Sequence, residues 1–99
     1  MARFSVHAST EDGKYLLDVQ ADLLDHLNTR VVVPLLPAAS APKPAKVLNP
    51  TFEIEGVHYV LVTQFLATVP RRLLGKELAN LQAEASVIVN ALDCLFQGV

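Results

Sequence analysis

Proline placement is the feature that most limits what this chain can fold into. Four of its six prolines fall between Pro37 and Pro50, where the composition turns to Pro, Ala, Ser and Lys. Proline locks φ and donates no backbone hydrogen bond, so neither a helix nor a regular strand runs through such a segment. It reads as a long surface loop inside one domain. With 99 residues in all, too little chain lies on either side for two cores.

Before the loop, short apolar runs alternate with turn chemistry. Residues 3–8 (RFSVHA) set Phe4, Val6 and Ala8 against Arg3, Ser5 and His7, the period-two pattern of a strand with one face on a core. Glu11-Asp12-Gly13 is a turn, and residues 14–20 (KYLLDVQ) complete a hairpin. Residues 22–28 are short and irregular and carry Leu23 and Leu24 side by side. Residues 30–36 (RVVVPLL) form an apolar, β-branched strand that Pro34 confines to an edge or a bulge. After the loop, residues 51–66 give two strands around a tight turn at Glu55-Gly56, and Val69-Pro70 ends the sheet.

Beyond Gly75 the spacing becomes helical. Leu78, Leu81, Ala85, Ile88, Leu92 and Leu95 recur at steps of three and four, and Gly98 ends the helix. Gln82, Ser86, Asn90, Asp93 and Gln97 make one narrow polar stripe. Val87, Ala91 and Cys94 widen the apolar surface beyond the stripe that one core needs. The surplus goes either to a second subunit or to a sheet that curls around the helix. The expected architecture is therefore mainly β, a small antiparallel barrel or sheet closed by one C-terminal helix, with a twofold dimer as the simplest use of the extra apolar surface.

Several chemistries are excluded. A net charge of -2, a pI of about 5.8 and no basic block beyond Arg71-Arg72 disfavour direct nucleic-acid binding. The single cysteine, Cys94, permits no internal disulfide or thiolate metal cluster and lies on an apolar part of the helix. His7, His26 and His58 are dispersed, no Ser elbow, P-loop or GxGxxG occurs, and Glu53 and Glu55 flank a turn. No catalytic residue, metal or cofactor is expected. The longest apolar stretch, residues 31–39, is broken by Pro34 and Pro37 and is too short for a membrane span. The N-terminus lacks the apolar core of a signal peptide, so the cytoplasm is the expected location.

Five blocks carry a family resemblance: LDVQADLLD (17–25), RVVVPL (30–35), ATVP (67–70), GKELANL (75–81) and NALDCLFQGV (90–99). In their order and separations they resemble the CcdB-type toxins of type II toxin–antitoxin pairs, over almost the whole chain. The resemblance implies an SH3-like barrel and a homodimer whose helix ends lie near the dyad; the surplus apolar residues Val87, Ala91 and Cys94, with Leu95, are the expected dimer interface. It implies two protein partners. One is the A subunit of DNA gyrase, which such toxins trap in its cleavage complex; the other is a cognate antitoxin that releases it. A role in plasmid maintenance goes with such pairs.

Carried over to this sequence, the gyrase surface comprises Asp93, Phe96, Gln97, Gly98 and Val99, joined by Leu23 and Leu24. Two positions depart from the family pattern. Gln97 stands where the family has a tryptophan, and Asp93 where it tends to carry a neutral amide. A binding module that keeps the antitoxin but not gyrase is the nearest alternative. An mRNA-cleaving toxin of related fold is a further one, but those enzymes need a basic groove and an early Gly-Asp-Ile-like motif with a catalytic Arg; this sequence has none of that motif, and its charge is wrong.

Overall fold

The computed structural model describes residues 2–98. Seven antiparallel strands, β1 (Ser5–Ser9), β2 (Tyr15–Asp18), β3 (Thr29–Pro37), β4 (Thr51–Ile54), β5 (Val57–Leu61), β6 (Ala67–Pro70) and β7 (Leu74–Asn80), form one curled sheet, a half-barrel, in the order β4-β5-β3-β2-β1-β7, with β6 pairing β3. β1 (Ser5–Ser9) and β2 (Tyr15–Asp18) make the expected first hairpin, and Gly13 takes φ 71° in its turn. β1 departs from simple alternation, because Ser5 and His7 are buried as well as Val6.

β4 (Thr51–Ile54) and β5 (Val57–Leu61) form the second hairpin, turning at Glu55 (φ 53°) and Gly56 (φ 80°). Two successive positive φ values give the type I′ turn, whose twist matches that of the flanking strands. A β-branched side chain tolerates this conformation poorly. Gly56→Val is therefore expected to cost about 1–2 kcal/mol, read as a lower urea midpoint with an unchanged slope.

Sequence alone places Pro34 on an edge or in a bulge, and the structure corrects this. β3 (Thr29–Pro37) is central: β2 lies along one side, while β6 (Ala67–Pro70) and β5 share the other. β6 pairs as far as Val32 and β5 begins at Leu35, so Pro34 falls at the changeover. Its carbonyl accepts the Val62 N–H at 3.0 Å on that side. The proline nitrogen faces the same gap, where no strand requires a donor.

A second correction concerns where the sheet ends. Past Pro70 and a 3₁₀ turn at Arg71–Leu73, β7 (Leu74–Asn80) pairs with β1. Leu78 lies in this strand and Leu81 just after it, so the helical spacing that includes them is coincidental. Without β7, β1 would be an open edge beside the core, and that long-range pairing outweighs a local three-residue spacing. The two backbones approach closely at Gly75, where a Cβ would meet the Ala8 carbonyl oxygen at 2.8 Å. His7 Nδ1 donates to the Gly75 carbonyl at 2.8 Å.

The helix α1 (Ala85–Gln97) begins only after this strand. It seats Ile88 among Phe4, Val6, Leu17, Val33, Leu35, Phe52 and Leu61. Gly98 ends it at φ 73°, with its N–H on the Cys94 carbonyl at 3.1 Å. The 38–50 connection is a surface loop as expected. It is fastened by buried Asn49, whose Nδ2 donates to Leu61 O at 3.1 Å and Gln64 Oε1 at 2.7 Å. Among the described residues no helix is long and apolar enough to cross a membrane.

Candidate functional site

The sheet covers one side of α1 and leaves the other open. Phe96 is 68% exposed and Val87 38%, Gln97 and Gly98 are exposed, and Asp93, Cys94 and Leu95 are half-buried. At Gly98 a side chain would meet open space, so the chain is not packed against the body at this position. Ala91 departs from the sequence expectation. It is fully buried, as is Ile88, and so offers no surface to a second subunit. Val99 lies outside the described residues.

Leu23 and Leu24 sit on a 3₁₀ turn, Asp22–Leu24, between β2 and β3. Leu23 is 87% exposed and Leu24 41%, with Leu27 beside them at 39%. Exposure of large apolar side chains on so short a turn has no packing rationale, and such groups mark contact surfaces when they cluster. Among the described residues no hydrogen bond or ion pair links this turn to the helix end. The two groups are displayed from separate elements.

Beneath the turn lies a polar network that the sequence reading misses. Arg30 is fully buried at the head of β3, and its Nε donates to Asp18 Oδ2 at 3.0 Å. Arg30 Nη2 stands 2.6 Å from the same oxygen, an ion contact outside hydrogen-bond alignment. Its Nη1 reaches Asp25 Oδ1 at 2.9 Å. Buried Gln20 donates from Nε2 to Leu24 O at 3.0 Å and accepts the Val31 N–H at 3.1 Å. Arg71, with its side chain 37% exposed, turns its Nη1 onto the Asp25 and Leu27 carbonyls. The one available signal is that Arg30 heads an otherwise apolar strand and Asp18 ends one, positions where a charge has to find a partner.

His26 and His58 are exposed, as are Glu53 and Glu55. Among the described residues no group of three or more His, Cys, Asp or Glu side chains could hold a metal ion. What the geometry offers is a set of exposed large apolar side chains, Leu23, Leu24 and Leu27 on the turn and Val87 and Phe96 on the helix.

The family model described as "CcdB protein" matches residues 3–98. Among solved structures the chain is similar to one titled "Endoribonuclease from Mycobacterial species", with a TM-score of 0.78 and 19% identity. The match covers 97% of this chain and 90% of that one. At this identity the likeness establishes a common fold.

Proposed function

The chain belongs to the CcdB protein family, and on that premise we propose that it is the toxin of a toxin–antitoxin pair, which binds the DNA gyrase A subunit as a homodimer. It holds gyrase in its cleavage complex until the antitoxin removes it, and it acts in the cytoplasm by binding rather than by catalysis. The observation that carries this is the exposure of Phe96 (68%) and Leu23 (87%) at the positions that match the family's gyrase surface. Two such patches beside a dyad would suit a twofold-symmetric target. Val87, Cys94 and Leu95 remain the residues to meet the second subunit; Ala91 does not.

The endoribonuclease with a similar fold makes RNA cleavage the second reading. The net charge of -2 argues against it. The deciding experiment titrates the purified protein against the gyrase A fragment by calorimetry and incubates it separately with RNA. Saturable binding, with accumulation of cleaved DNA on whole gyrase, supports the proposal. RNA cleavage without gyrase binding would overturn it.

Gln97 offers hydrogen bonds but no ring for stacking on an arginine. Gln97→Trp is expected to tighten gyrase binding by about 0.5–2 kcal/mol per copy. An affinity that stays flat in the same titration would remove position 97 from the contact surface.

A further inference from the structure

The turn that presents Leu23 and Leu24 has almost nothing apolar to hold it. None of residues 21–29 is buried, and among the described residues the turn's backbone bonds to itself run from Leu24 N to Ala21 O at 2.9 Å, Asp25 N to Asp22 O at 3.0 Å and Leu27 N to Leu24 O at 3.1 Å. A one-turn element of this kind is marginal alone. Its shape comes from polar contacts behind it. Gln20 takes the Leu24 carbonyl, Arg71 takes those of Asp25 and Leu27, and Arg30 holds the Asp25 carboxylate. The two inner members, Gln20 and Arg30, are themselves fixed by the buried carboxylate of Asp18.

We propose that Arg71 and Gln20, backed by buried Arg30, are positioning residues that hold the Leu23–Leu24 turn in its binding shape. They touch no partner themselves. This rests on the reading that the turn belongs to the gyrase surface. An exposed pair of leucines on a loose loop would lose conformational freedom on docking, and ordering the loop in advance removes that cost from the affinity.

The test uses the full chain with Arg71→Met, Arg71→Lys and Gln20→Glu, and with Leu23→Asp as the direct-contact control. Arg71 is partly exposed and Asp25 keeps Arg30, so Arg71→Met leaves no buried charge unpaired. Gln20→Glu keeps an oxygen for Val31 and replaces the donor facing Leu24 O with an acceptor. Amide exchange at Leu24, Asp25 and Leu27 is measured together with titration against the gyrase A fragment. Loss of one clamp is expected to speed exchange at these amides, and to weaken gyrase binding, by about five- to tenfold each. Exchange in β3 stays unchanged, and Arg71→Lys restores part of both effects. A purely structural role would instead raise exchange across the sheet.

Unchanged exchange at the three amides in both Arg71→Met and Gln20→Glu overturns the proposal. So does full gyrase affinity in these variants while Leu23→Asp weakens binding; that result leaves the gyrase surface standing. If Leu23→Asp binds as the parent does, or the parent does not bind, the gyrase reading fails and the positioning role falls with it.

Discussion

Arg30→Met is expected to destabilise the fold by about 3–5 kcal/mol, because it leaves the Asp18 carboxylate buried without its counter-ion. Both side chains have zero relative exposure, so water cannot take the place of the guanidinium. Methionine fills much of the volume, and the cost is therefore electrostatic rather than a cavity. The double variant Arg30→Met/Asp18→Leu separates the two causes. Removing both charges is expected to restore a large part of the lost stability, since a buried pair replaced by apolar groups is often near neutral. Recovery will be incomplete, because Asp25 loses Arg30 and the Gln20 N–H loses its 3.0 Å bond to Asp18 Oδ1. Urea unfolding of the parent and the variants checks this. A double variant no more stable than Arg30→Met would show that packing, not charge pairing, sets the cost.

Phe96→Ala is expected to leave folding almost untouched, within about 0.5 kcal/mol, and to weaken gyrase binding by about 2–4 kcal/mol. The last figure corresponds to a loss of roughly 30- to 900-fold in affinity. The contrast follows from the 68% exposure of Phe96, which leaves most of the ring outside the chain's own core. Calorimetry against the gyrase A fragment and urea unfolding of the same preparation read the two quantities. Growth arrest on expression without the antitoxin should be lost in parallel. Should the dimer dissociate in sedimentation while gyrase still binds the remaining protein, Phe96 is a subunit contact instead.

Some of the fold was legible in the residues because the signals are local. The Glu55-Gly56 turn takes two positive φ values that favour few residues, and Gly98 takes the left-handed cap that ends a helix. The 37–50 loop is announced by its prolines. The β1–β2 hairpin follows from a turn between one alternating run and one short apolar run. The last strand and the path of β3 were not legible. β7 is specified by β1, some 70 residues away in sequence, and no local pattern reports so distant a pairing. Pro34 is tolerated in the middle of the sheet because two different strands meet opposite it, a condition invisible in RVVVPLL.

The same division holds for the candidate site. Its residues were named from the chain alone, since paired leucines between strands and an aromatic near a helix end are local features with a family counterpart. Whether they face outward depended on the packing. The tertiary structure put Ala91 inside and left Phe96 and Leu23 outside. It also brought Asp18, Gln20, Asp25, Arg30 and Arg71 together behind one turn. The physical reason is range. Backbone torsions and apolar periodicity act over a few residues, whereas burial and charge pairing exist only once distant strands have met.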